Sequence, residues 1–215
     1  MSVRDITNRG SKKIIGKFPS YLMGIIVMWE SKLERDFLYL LEFDPDVLSY
    51  AGQPVRILYN FAGKLCRYTL DFLVVREQKR QLIEVKPKDK VFKGDNEQRF
   101  RIISQVCRAV GYEFKVVTEA NIRVQPRLNN IRLLWKYART PFTPQHQLYC
   151  KELLGDGREM YLGDVMQALE SRGVSRRLIY SMMYHKILAV DLMYPIDDDS
   201  IVQLTGVMTS ATREL

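Results

Sequence analysis

Asp71, Glu84 and Lys86 are residues whose types and spacing could do chemistry together. They lie in YTLDFLVVREQKRQLIEVKPKDK, Tyr68 to Lys90, where two alternating segments meet at a polar turn. With the turn centred between Gln78 and Lys79, an antiparallel register sets Asp71 opposite Lys86, while Glu84 and Lys86, two apart, share a face. Leu70, Phe72, Val74, Ile83 and Val85 then form the apolar face. Converging carboxylates hold Mg²⁺ against a scissile phosphate. A lysine beside them orients the attacking water or stabilises charge developing at phosphorus. The same residues also read as a solvated face with an Asp71–Lys86 ion pair across the strands, and the hairpin alone favours that reading.

The elements around the hairpin change the balance. SKLERDFLYLLEF, Ser31 to Phe43, places Leu33, Phe37, Leu40 and Leu41 on one helical face. PVRILYN, LCRYTLDFLVV and QLIEVK read as three strands of an antiparallel meander, with NFAGK and REQKR as turns. DNEQRFRIISQVCRAVG is a second helix, with Phe100, Ile103, Cys107 and Val110 inward and Gly111 at its end. EFKVVT follows as a strand and NNIRLLWKYAR as a helix. The resulting order is helix, three strands, helix, strand. The helix before the sheet offers further acids, Glu30, Glu34 and Asp36. Glu34 is open between an inward role at the sheet and a capping box with Ser31.

A net charge of +8 and a pI near 9.4 point to a polyanionic partner. Three scattered cysteines, Cys66, Cys107 and Cys150, argue against a disulfide framework and a CxxC zinc site, and place the chain in a reducing cytoplasm. Two histidines are too few for a His-rich metal centre, so any metal must rest on carboxylates. YLMGIIVMW, Tyr21 to Trp29, is too short to span a bilayer and reads as a buried strand. No membrane association is expected.

Residues 1–20 read as a basic arm, open between a solvated tail and a DNA contact. RTPFTPQH, residues 139–146, reads as a linker between a domain over 21–138 and a second over 147–215. Three helices and a hairpin around PIDDDS in the second suggest a winged helix-turn-helix. Lys88, Lys90 and Lys93 are open between phosphate contacts beside the site and a solvated loop. Arg176 and Arg177 open a helix whose N-terminus favours phosphate. Ile179, Met182, Met183, Ile187 and Leu188 read as core, and the acidic DDDS repels DNA, so this domain suits a protein partner as well as DNA.

Asp71, then twelve residues, then Glu84-Val85-Lys86, on strands of a helix-strand-strand-strand-helix-strand unit, resembles the PD-(D/E)XK nuclease superfamily. Leu70 stands where that motif has proline. The fold class this implies is α/β (α+β): a restriction-endonuclease-like core followed by a small winged-helix domain. WESKLERDFLYLLEFDPDVLSYAGQPVRI, followed by YTLDFLVV and LIEVKPK, more closely resembles the TnsA endonuclease subunit of heteromeric cut-and-paste transposons, over roughly Ile14 to Val117. That resemblance implies Glu34, Asp71 and Glu84 as Mg²⁺ (or Mn²⁺) ligands, with glutamine tolerated in place of Glu84, and Lys86 as the catalytic lysine. It further implies cleavage at the 5′ ends of transposon-end DNA, a TnsB-like DDE transposase that cuts and joins the 3′ ends, and a TnsC-like AAA+ ATPase regulator. The implied setting is the bacterial cytoplasm, at the nucleoid during transposition. Another PD-(D/E)XK nuclease of restriction, resolvase or repair type, and a non-catalytic winged-helix DNA-binding scaffold, are the competing functions.

Overall fold

The computed structural model describes residues 15–205, the side chain of Asp156 excepted. An antiparallel hairpin comes first, β1 (Gly16–Pro19) against β2 (Ile26–Trp29). A Cβ on Gly16 would lie 2.1 Å from the Trp29 ring, so only glycine lets the two strands close over the indole. Residues 16–19 are thus strand, not the end of a basic arm; residues 1–14 of that arm lie outside the described residues. The strand expected over 21–29 is confined to its last four residues, because Leu22, Ile25 and Ile26 are exposed and only Val27 and Trp29 are buried there.

Helix α1 (Lys32–Phe43) starts where Ser31 Oγ accepts the Glu34 N–H at 3.1 Å. It buries Leu33, Phe37, Leu38 and Leu41, and Phe37 packs on Phe72 with ring centroids 5.6 Å apart. There follow β3 (Val47–Gly52), a ribbon of β4 (Arg56–Phe61) and β5 (Lys64–Thr69), then β6 (Phe72–Arg76) and β7 (Arg80–Val85). A short α2 (Lys88–Val91) and a long α3 (Asn96–Ala109) lead to β8 (Glu113–Val117) and α4 (Glu119–Ile122).

The four-stranded sheet has the order β3-β6-β7-β8, antiparallel except for the parallel β7–β8 pair. The expected meander of PVRILYN, LCRYTLDFLVV and QLIEVK does not form as one sheet; the strand beside β6 is β3. A register shift between Val47 and Ser49 breaks the alternation of β3, which therefore shows no strand period in the sequence. PVRILYN instead pairs with the first half of LCRYTLDFLVV as the separate β4–β5 sheet, and the chain breaks at Leu70–Asp71 before entering the main sheet. Leu70 consequently joins Leu82, Phe100, Ile103 and Cys107 in a core cluster with the ribbon's Ile57 and Tyr59. Val110, expected inward, is exposed because it caps α3 beyond the last helical turn. From Gln81 to Val85 β7 is buried on both faces, so Gln81 and Glu84 lie inside the protein.

One compact unit ends at Val124 and a second begins at Gln125. The second contains α5 (Arg127–Trp135), α6 (Pro144–Leu154), β9 (Met160–Tyr161), α7 (Leu162–Glu170), α8 (Arg176–Tyr184), β10 (Leu188–Val190) and β11 (Ile201–Leu204). Its antiparallel sheet has the order β10-β11-β9. Helix α5, expected with the first domain, belongs here: buried Asn130 donates to the carbonyls of Leu192 and Tyr194 at 2.8 and 2.7 Å. Nor do residues 139–146 link the two units. Ser181 Oγ donates to the Thr140 carbonyl at 2.7 Å, and Thr143 with Pro144 begins α6, so a proline that reads as a breaker starts a helix.

Cys150 is fully buried and its thiol is pushed up to about 11 by burial; Cys107 is buried too, its thiol also raised by desolvation. Cys66 is half-buried. Because the thiolate is the reactive form, brief maleimide treatment of the native chain near neutral pH should label Cys66 alone. All three should label after denaturation, as read by peptide mass mapping. No helix among the described residues is long and apolar enough to cross a membrane.

Candidate active site

Asp71 occupies the break between β5 and β6. Its N–H donates to the Ile83 carbonyl at 3.1 Å, its carbonyl accepts the Gln53 N–H at 2.7 Å, and its Oδ2 accepts the Val85 N–H at 2.7 Å. The side chain thus replaces a ladder partner for β7, which fixes the carboxylate at the strand's end. Phe72 pairs with Ile83 and Val75 with Arg80; continued by one residue, this register sets Asp71 opposite Glu84 rather than Lys86. The turn is centred one residue earlier than expected, closed by the Arg76 N–H on the Lys79 carbonyl at 2.9 Å. Because the slip moves the partner by two residues, every side chain keeps its face, and Asp71, Glu84 and Lys86 stay together.

Glu84 is only 5% exposed. Its Oε1 accepts from Tyr68 Oη at 2.5 Å and from Lys86 Nζ at 2.7 Å, whereas its Oε2 has no partner among the described residues. Lys86 therefore pairs along its own strand, not across to Asp71. Its ammonium lies 3.2 Å from Tyr68 Oη and over the rings of Phe100 and Tyr68, at 5.3 and 5.8 Å. This is an enclosed cluster, not the solvated face that the hairpin alone allows.

Glu34 is also buried. Ser31 caps its N–H, but its own Oε2 accepts the Glu30 N–H at 2.7 Å, one residue before the N-cap. Glu30 Oε1 in turn accepts from Gln53 Nε2 at 2.9 Å. The third acid of this helix, Asp36, is neutralised by Arg35 at 3.1 Å and Arg123 at 2.8 Å, which makes it structural.

Desolvation, followed by the charges of Glu84 and Glu34, pushes the Asp71 carboxyl well above its usual range; the Val85 N–H and Lys86 oppose the shift. Burial likewise raises Glu34, against the Glu30 N–H and Ser31, with smaller contributions from Glu30 and Glu84. Burial first, then the Glu84 charge and its hydrogen bond, raises the Tyr68 phenol, which stays a proton donor. The Glu84 charge raises both Asp71 and Glu34, and Glu34 raises Asp71, an electrostatic load that a cation relieves.

No group of three His, Cys, Asp or Glu side chains among the described residues is gathered closely enough to form a metal cage. Mg²⁺, however, is usually held by one or two carboxylates with waters and substrate phosphate completing its shell. The donor set fits that pattern: Asp71, just before β6, feels the charge of Glu84 on β7, and the buried Glu84 Oε2 has no hydrogen-bond partner among the described residues. Glu34 interacts with both electrostatically.

Tyr68 and Gln53 are the residues that reading the hairpin missed. Tyr68 lies on β5, in a different sheet, so strand register could not bring it to Glu84. Gln53 has a left-handed backbone, φ +46, and joins Asp71 to Glu30; the Gln-Pro pair after Gly52 is its sequence signal. Lys88 and Lys90 on α2, and Lys93 after it, are exposed directly downstream of Lys86. Arg176 and Arg177 belong to the other unit, where Arg176 pairs with Asp198 at 2.8 Å and Arg177 is exposed. Inward of them, Ile179, Met182, Met183 and Leu188 are core, while Ile187 is half-buried.

Residues 44–119 match the family described as TnsA-like endonuclease N terminal. The matched segment begins after Glu34 and contains Asp71, Glu84 and Lys86. No curated protein matches the chain.

Proposed function

We propose that this chain, which carries a TnsA-like endonuclease domain of restriction-endonuclease-like fold, is the Mg²⁺- or Mn²⁺-dependent subunit that cuts the 5′ ends of a transposon. The observation that carries the reading is the cluster at the end of β7: Asp71 tied to the Val85 N–H and within the field of Glu84, Lys86 paired with Glu84, and a buried Glu84 oxygen with no hydrogen-bond partner among the described residues.

In this reading Asp71 and Glu84 would hold the divalent ion, with Glu34, which interacts with both electrostatically, as the third acid. The bound ion would supply Lewis acidity toward the scissile phosphate and lower the pKa of a water. The Val85 N–H holds Asp71 at the strand end for that task. Lys86, between Glu84 and two aromatic rings, presents an ammonium for the attacking water or the developing phosphorane charge. Lys88, Lys90 and Lys93 position the backbone by phosphate contacts that carry no sequence information.

The second unit has the order two helices, strand, two helices, hairpin, and its part from α6 onward supports a winged-helix-like reading for it. The Arg176–Asp198 pair offsets one of the two arginines proposed to contact DNA, and favours a protein partner for that surface. The partners in this account are transposon-end DNA, a TnsB-like transposase that cuts and joins the 3′ ends, and a TnsC-like ATPase, acting in the bacterial cytoplasm.

The test is to map cut positions on end-labelled transposon-end duplex, with the chain alone and with its transposase. Nicks confined to the 5′ ends and requiring the partner are expected. Robust site-specific cleavage by the isolated chain would instead assign a self-sufficient nuclease of restriction or repair type.

A further inference from the structure

Tyr68 donates to one oxygen of Glu84 at 2.5 Å and receives Lys86 Nζ at 3.2 Å, from a strand belonging to another sheet. The Glu84 carboxylate is consequently asymmetric: Oε1 takes two donors, and Oε2, on the same buried group, takes none among the described residues. A carboxylate whose only purpose was to be satisfied in the core would share its donors between both oxygens. Tyr68 is itself held in place, its ring edge-on to Phe100 at 6.3 Å, and Phe100 sits under the Lys86 ammonium. The ribbon, helix α3 and the end of β7 thus meet around the Tyr68 side chain.

We propose that Tyr68 is a positioning residue of the site: its hydroxyl locks the Glu84 rotamer so that Oε2 alone faces the divalent cation, and spaces Lys86 beside it. This rests on the nuclease reading above and adds to it the residue that sets cation affinity. Outer partners of ligating carboxylates typically change metal affinity ~10- to 100-fold when removed. The half-buried Tyr68 can be replaced by phenylalanine, which keeps the ring against Phe100 and removes only the hydroxyl.

The experiment is Mn²⁺ binding to the full chain by calorimetry, for wild type, Tyr68→Phe, Glu84→Ala and the double variant, with thermal unfolding of each recorded alongside. Tyr68→Phe should weaken Mn²⁺ binding by roughly 10-fold or more, with the melting temperature little changed. In the Glu84→Ala background the same change should have no further effect, because the hydroxyl acts through that carboxylate. Equal Mn²⁺ affinity in wild type and Tyr68→Phe would overturn the role of Tyr68 and leave the nuclease reading standing. So would equal losses in both backgrounds. Should Tyr68→Phe not fold, the Tyr68→Leu variant, which carries no hydrogen-bonding group, is read by the same criteria. Wild type that binds no Mn²⁺ would overturn both proposals together.

Discussion

Replacing Lys86 with alanine should lower the rate of strand cleavage about 10²- to 10³-fold, the loss typical when one preorganised charge is removed from a transition state. The chain should remain folded. Lys86 is 23% exposed in its side chain and sits at the end of β7, where its backbone N–H still reaches the Val117 carbonyl at 3.0 Å. Its removal also leaves Glu84 Oε1 with Tyr68 as a donor. The readout is single-turnover cleavage of transposon-end DNA, with circular dichroism to verify the fold. A Lys86→Arg variant should recover little, because a planar fork cannot occupy the point position of an ammonium between Tyr68 and Glu84.

The second large effect separates two glutamates on α1. Glu42 is 8% exposed and accepts four hydrogen bonds, from Ser20 Oγ at 2.5 Å, Tyr50 Oη at 2.6 Å and the N–H groups of Tyr21 and Leu22 at 2.9 and 3.2 Å. Glu42→Ala orphans those donors, each at a cost of about 1–3 kcal/mol if it finds no water. A total loss of roughly 3–5 kcal/mol is expected by urea denaturation, which is a large fraction of the stability of a typical domain.

Glu34→Gln should behave in the opposite way, abolishing or strongly reducing cleavage while raising stability near neutral pH in chelator-treated buffer. The sign follows from the raised carboxyls of Glu34 and Asp71. With a folded-state pKa above the unfolded value, each group contributes most favourably at acid pH, below its unfolded value. That contribution is lost as pH rises through the folded-state value. Removing the charge at Glu34 therefore helps at neutral pH, and the advantage should disappear on acidification to about pH 4, near the ordinary carboxyl range. A Glu34→Gln chain less stable than wild type at neutral pH would assign this residue to the helix cap alone. Such opposition between stability and activity is the pattern expected of residues held together for function.

Helix α1, helix α3 and the β6–β7 hairpin are legible in the sequence because each keeps a single period over its length. Leu33, Phe37 and Leu41 repeat at helical spacing, and Phe72 and Val74 alternate. Strand β3 is not legible, since its register shift moves Tyr50 out of phase with Val47. LCRYTLDFLVV hides a break for a different reason: the sheet switch at Asp71 leaves no glycine or proline to mark it. The pair Glu84–Lys86 follows from a spacing of two, but the placement of Asp71 depends on where the turn closes, which composition alone fixes only to within a residue. The contributions of Tyr68 and Gln53 come from tertiary packing of other segments against the strand end, beyond the reach of periodicity.

The most direct test of the account is single-turnover cleavage of labelled transposon-end duplex in Mg²⁺, by the chain with its transposase partner, comparing wild type with Asp71→Asn. Asn keeps the size and the acceptor for the Val85 N–H while removing the charge. The account predicts a 5′-end nick with wild type and none with Asp71→Asn. Asp71→Asn cutting at the wild-type rate would contradict it.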